Sequence, residues 1–250
     1  MSTRTNGEAI AVDRHSLLAL WSAPRSRSTV FFRMMLERQD LVSVHEPFCN
    51  IANDGHTEVG DRIVTSAAVL IDALLEYSRS QTVFFKDTTD CQYDPLFDRP
   101  DFLKSVRHAF LLRNPREIIP SFAALKPDME LREVGLEYLH RIYRAVLDVG
   151  GNPVVLDSDD FVDNPEQTVR AYCAAVGVPF DGASLSWQPG SRPEWHQSDR
   201  WHVDVSASSV VRRQDRSYDR TIDTDPRLRR YYEHHLPFYE YLRERRVRIS

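Results

Sequence analysis

LLALWSAPRSRSTVFFRMML, residues 17–36, is the stretch that decides the fold. Leu17 to Trp21 are apolar without alternation and stop at Ser-Ala-Pro, which reads as a strand buried on both faces running into a loop. Thr29 to Gln39 carry Phe31, Phe32, Met34, Met35 and Leu36 with no breaker, which reads as a helix. The same rhythm recurs outward along the chain. Leu41–Val44, Thr82–Phe85, His108–Leu112 and Val154–Leu156 read as further strands. Helices are expected over Ala67–Tyr77 with Ser66 as N-cap, from Pro115 through Ser121, over Glu130–Leu147, from Asn164-Pro165 to Val176 with Gly177 as the stop, and over Pro226–Arg246 with a kink at Pro237. Residues 49–65 and 180–220 lack a period and read as irregular. Apolar strands alternating with helices imply an α/β protein. The expected architecture is a P-loop-like three-layer fold, a central parallel sheet flanked by helices. Such sheets bind ligands beyond the carboxyl ends of their strands.

Composition narrows the setting. The 250 residues are 42% hydrophobic and 28% charged, which is ordinary for a globular chain. Residues 1–14 read as a flexible tail and 15–250 as a single domain. A net charge of −5 gives no reason to expect nucleic acid as a partner. There is no apolar run of about eighteen residues to span a membrane, and the polar N-terminus lacks the apolar stretch of a secretory signal. Cys49, Cys91 and Cys173 lie far apart in sequence and cannot all pair, so a cytoplasmic setting is expected. No CxxC or HExxH spacing is present, so no metal is expected; Asp159-Asp160 read as a helix start rather than as ligands.

The chemistry gathers behind the strands. After the first strand, the loop Pro24 to Thr29 enters a helix, whose free amides and partial positive charge suit an anion. Arg25 and Arg27 add guanidinium groups, and Ser26, Ser28 and Thr29 add hydroxyls. An N-cap needs one Ser rather than this set. GxxxxGK[ST] is absent, which counts against a phosphotransferase using magnesium-ATP. A second anion element is LLRNPREIIPSF, residues 111–122. It puts Arg113 at a strand mouth and Ser121 about two turns into the next helix, able to converge on one phosphate. Two other strand ends carry candidates for acid–base work, His45-Glu46-Pro47-Phe48 and Lys86-Asp87. A carboxylate against an apolar wall of Pro47 and Phe48 would have a raised pKa, as a base near neutral pH needs.

Pro24-Arg25-Ser26-Arg27-Ser28-Thr29 is similar to the PRSGST-type loop of sulfotransferases that use 3′-phosphoadenosine-5′-phosphosulfate (PAPS), and Arg113 with Ser121 is similar to that family's R-x-P-x(5)-S element. VVLDSDDFVDNPEQTVRAYCAAVGVPFD, residues 154–181, resembles a third family segment. The likeness runs from about Leu17 to Phe180 and is closest to a bacterial small-molecule branch with a substituted loop, Arg27 standing where the family often has Gly. The resemblance implies a cytoplasmic transferase that moves a sulfuryl group from PAPS to a hydroxyl or amine of a small acceptor, leaving PAP, without a metal. It implies 5′-phosphosulfate at residues 24–29, 3′-phosphate at Arg113 and Ser121, and Glu46 as base. Asp87 is the competing base, Lys86 would stabilise sulfuryl oxygens and Arg25 the leaving phosphate. The family's C-terminal donor clamp is not recognisable; Ser206, Ser208, Arg212 and Arg213 stand where it would be. Trp187, Trp195 and Trp201 would line the acceptor pocket or pin their loop. Two alternatives stay open, a degenerate P-loop phosphotransferase and a repurposed, non-catalytic nucleotide binder. The oligomeric state also stays open, a homodimer included.

Overall fold

A computed structural model of the chain describes residues 15–190, 192–194, 208–213 and 217–249. The expected tail, Trp195, Trp201 and Ser206 lie outside them. In chain order the elements begin with β1 (Leu17–Ser22), α1 (Ser28–Leu36), β2 (Val42–His45), α2 (Pro47–Asp54) and a hairpin of β3 (Thr57–Val59) and β4 (Arg62–Val64). There follow α3 (Ala67–Tyr77), β5 (Val83–Thr88), α4 (Pro100–Ser105), β6 (Arg107–Leu112), α5 (Pro115–Leu125) and α6 (Leu136–Asp148). β7 (Val154–Asp157), α7 (Ser158–Asp163), α8 (Pro165–Val176) and α9 (Pro226–Glu244) complete the set. Five strands form one parallel sheet in the order β2-β5-β1-β6-β7.

Alternate residues of each strand feed two cores. Leu17, Ala19, Trp21, Phe85 and Phe110 face α3, α4, α6 and α9, whereas Leu18, Leu20, Phe84, Ala109 and Leu111 face α1, α7 and α8. Helices on both faces exclude water from the strands, so every side chain of β1 is apolar except Ser22 at its end. Trp21 anchors the first core. Its indole N–H donates to His108 Nδ1 at 2.9 Å, and the other ring nitrogen of His108 meets Leu103 O at 3.0 Å. Burial pushes that imidazole down to about 4, so it stays neutral.

Two sequence expectations are corrected, and one helix is added. Residues 49–65 are mostly regular, forming most of α2 and the hairpin. Pro100–Ser105 is a helix that no local pattern announced. The long helix expected over Glu130–Leu147 is broken at Gly135 into a 3-10 turn (Leu131–Val134) and α6. Gly135 has φ 80°, and a Cβ there would stand 2.6 Å from Thr89 Oγ1 and 2.9 Å from Thr89 O. Only glycine lets this turn press against the end of β5.

Candidate active site

The register brings the carboxyl ends of three strands level: Ser22 pairs with Thr88 on one side and Leu111 on the other. The loops that leave this edge surround a cleft of about 1240 Å³. Its walls include Arg25, Arg27, Ser28 and Thr29 behind β1, Glu46 behind β2, Lys86 and Asp90 at β5, and Arg113 and Ser121 behind β6.

The loop behind β1 has an unusual backbone. Arg25 and Arg27 both have φ 64°, in the left-handed region that non-glycine residues rarely enter. Arg27 is the N-cap of α1 and offers it no side-chain hydrogen bond. The guanidinium turns sideways instead. It donates to Asp159 Oδ1 at 2.7 Å and Ser158 O at 3.1 Å, and it lies 3.4 Å from Glu117 Oε2. The side chain that replaces the family's glycine is thereby tied to α7 and α5. Asp157, rather than the Asp159-Asp160 pair, caps α7 by accepting from the Asp159 amide at 2.9 Å.

The two anion elements meet directly. Arg25 Nε donates to Ser121 Oγ at 3.1 Å, and Arg113 Nη1 donates to Arg25 O at 2.7 Å. The rest of the Arg113 fork is held by Glu117 Oε2, 2.7 Å from Nη2 and 3.1 Å from Nε. Burial, then the charge on Arg27, lowers the Arg113 guanidinium below its ordinary value. Ser26 is fully buried, does not line the cleft, and its Oγ has no hydrogen-bond partner. Arg212 and Arg213 also line the cleft, and Arg213 reaches Asp159 Oδ1 at 3.0 Å.

Glu46 sits where β2 turns into α2, with φ 44°. Its amide donates to Lys86 O at 2.7 Å, and its carboxylate forms an ion pair with the Lys86 ammonium, whose side chain is 1% exposed. Phe48 turns into the core, its ring 4.9 Å from that of Tyr93. His45 Nε2 lies 3.9 Å from the same carboxylate oxygen, and burial with the Lys86 charge holds this imidazole well below its usual value.

Asp87 does not reach the cleft. It has no exposed surface, and its two oxygens accept from the amides of Phe48 (2.6 Å), Cys49 (3.2 Å) and Thr88 (2.9 Å). It serves as the cap of α2 and so fixes the turn that carries Glu46. Burial and the Glu46 charge push its carboxyl well up, against the pull of the Phe48 and Thr88 amides. Two residues that line the cleft escape a reading of the sequence, Asp90 and Glu117, and so does the pairing of Asp159 with Arg27. Burial and Glu46 push Asp90 up to about 6. Trp187 pins its own loop: it is buried, donates to Ser208 O at 2.9 Å and lies under Arg33. No helix of the described residues is long and apolar enough to cross a membrane.

The fold and cleft define an α/β protein with two arginine–hydroxyl elements joined at the carboxyl edge of a parallel sheet. The sulfotransferase domain family matches residues 16–246, and the chain belongs to that family. Among solved structures, the sulfotransferase from Alicyclobacillus acidocaldarius has the same fold, with TM-score 0.52 at 15% identity over 93% of this chain and 97% of that one. The sulfotransferase domain of the Synechococcus PCC 7002 olefin synthase gives 0.51 at 16% identity over 93% and 98%. Two Arabidopsis thaliana proteins, branched-chain-amino-acid aminotransferase-like proteins 1 and 2, are 31% and 28% identical over 70% of this chain. The matched segment is 32% of each plant protein, which is therefore much the longer chain.

Proposed function

We propose that this sulfotransferase takes its sulfuryl group from PAPS and passes it to a hydroxyl or amine of a small acceptor. One observation carries the reading: the contact of Arg25 with Ser121 and of Arg113 with the Arg25 carbonyl. It supports two anion sites meeting in one cleft, as a nucleotide with a phosphate at each end would need. The left-handed loop at Arg25–Arg27 and the start of α1 would hold the 5′-phosphosulfate, with Ser28 and Thr29 as donors. Arg113 and Ser121 would hold the 3′-phosphate. Glu46 would accept the acceptor's proton as its oxygen bonds to sulfur and the sulfur–phosphate oxygen bond breaks. The leaving phosphate would gain its charge beside Arg25, and Lys86 would stay between Glu46 and the sulfuryl oxygens. Asp87 is a positioning residue in this scheme, acting through α2. Arginine and lysine supply the positive charge, so no step calls on a divalent metal.

Melting curves with PAP, AMP and ATP in parallel test the donor reading. PAP at about a hundred times its Kd adds about 2.7 kcal/mol of stability. AMP, which lacks the 3′-phosphate, is expected to shift the midpoint far less at equal concentration. Equal shifts from AMP and PAP would remove the argument for Arg113 and Ser121 as a second phosphate site.

A further inference from the structure

We propose that Cys49, Asp90 and Cys91 form a binding site for a soft divalent cation, zinc or cadmium, in the wall of the cleft beside Glu46. The two cysteines are far apart in sequence but close in space, because β5 runs out beside α2. One ligand atom from each residue, the two Sγ and a carboxylate oxygen, all lie within 4.8 Å of one another. Cys49 and Asn53 stand one turn apart on α2 and face the same way. The Asn53 Oδ1 is 3.7 Å from Cys91 Sγ, which makes it a neighbour for a fourth coordination position. Cys49, Asn53 and Asp90 line the cleft, so a cation has a route in.

The donor chemistry fits that class of ion. Two thiolates with one carboxylate suit a soft or borderline cation and do not suit magnesium or calcium. Two sulfurs bound tetrahedrally at about 2.3 Å from zinc are about 3.8 Å apart, so closing the site takes movements of about 1 Å. Asp90 and Cys91 are only partly buried and can supply them. The cluster also has an unmet need. Asp90 Oδ1 is buried with no hydrogen-bond partner. The Cys49 thiol points to Thr88 O at 3.2 Å. Acids crowd this wall, and the Lys86 ammonium is committed to Glu46. A divalent ion would relieve both the orphaned oxygen and the excess of negative charge.

Cadmium is the probe, because its thiolate bonds absorb in the ultraviolet where neither free ion nor free thiol does. The reduced full chain, titrated with cadmium alone, is expected to saturate at one ion per chain with the absorbance of two thiolates. Cys91→Ser is expected to halve that absorbance and weaken binding at least tenfold. Asp90→Asn keeps both thiolates and is expected to weaken binding, and Cys173→Ser is expected to change nothing. Melting curves without metal check that each variant folds. No thiolate absorbance in the wild type, or equal absorbance and affinity in Cys91→Ser, overturns the proposal. So does a loss of two mass units with both thiols gone, which would mean that the pair closes as a disulfide instead. None of these readouts depends on the donor or the acceptor.

Discussion

Replacing Glu117 with Gln is expected to tighten PAP binding. Glu117 Oε2 lies 2.7 Å and 3.1 Å from two nitrogens of Arg113 and 3.4 Å from Arg27, so one carboxylate holds the fork that a 3′-phosphate would use. Phosphate must displace this internal anion or bind beside it. A charge-assisted hydrogen bond is worth about 1.5–3 kcal/mol when well shielded. The Glu117 side chain is 38% exposed, so solvent screening takes the contact toward about 1–1.5 kcal/mol. Gln keeps the shape and one acceptor but carries no charge to compete. The variant should therefore bind PAP about five- to tenfold more tightly, since 1.4 kcal/mol is a factor of ten. Titration calorimetry with PAP and AMP reads this directly. The AMP affinity should move by less than about twofold, and the PAP gain should shrink as salt rises. If Glu117→Gln binds PAP tenfold more weakly, the carboxylate orders Arg113 for its ligand, and the idea of competition is wrong.

Glu46→Gln should lower kcat by about 10²–10⁴, the usual worth of a general base, with PAP affinity nearly unchanged. Full turnover of that variant on a verified acceptor would remove Glu46 from the chemistry. Asp87→Asn is expected to act on stability instead, costing about 2 kcal/mol because the NH2 that replaces one oxygen cannot accept from the amides that cap α2. A melting point lower by about 4–8 °C would show it, whereas a folded variant with no turnover would move the base to Asp87. His108 supplies a pH test. Its folded pKa of about 4 lies below the ordinary 6.5, so protons prefer the unfolded chain between those values. The contribution of the neutral ring is complete above pH 6.5 and is lost as pH falls toward 4, at up to about 1.4 kcal/mol per unit. Urea unfolding of His108→Gln should show a shallower fall over that window than wild type. Parallel curves would mean that the ring charges freely in the fold.

What the sequence revealed and concealed follows from the range of the forces involved. Strands buried on both faces are mostly apolar, so β1, β6 and β7 are legible within a residue or two, whereas β5 runs three residues past its apolar part through the buried polar Lys86-Asp87-Thr88. Helix α3 is legible to both ends, because Ser66 caps it locally by accepting from Val69. Helix α2 has no such signal. Its cap is Asp87, brought from β5 by sheet pairing, and its own N-cap residue, Glu46, makes no side-chain bond to the helix. The anion elements were readable because each is a short motif at a strand end. Glu117 and Asp159 were not, since ordinary surface acids of helices look the same until the fold sets them against Arg113 and Arg27. Cys49 and Cys91 were separated by the same blindness to distance.

Backbone strain supplies the last link between loop and chemistry. Among the described residues, Arg25, Arg27 and Glu46 are the non-glycine residues with positive φ, and all three line the cleft. A left-handed conformation costs an L-residue roughly 1–2 kcal/mol, and such outliers persist where neighbouring contacts over-determine them. Those contacts are visible for each. Arg27 is held by Asp159, Ser158 and Glu117, Arg25 by Ser121 and by Arg113 on its carbonyl, and Glu46 by Lys86 on both its amide and its carboxylate. Glycine at position 27 would remove the strain but also the link from the loop to α7. The arginine thus exchanges local conformational ease for a tether between loop, α5 and α7, and the loop keeps its left-handed turn.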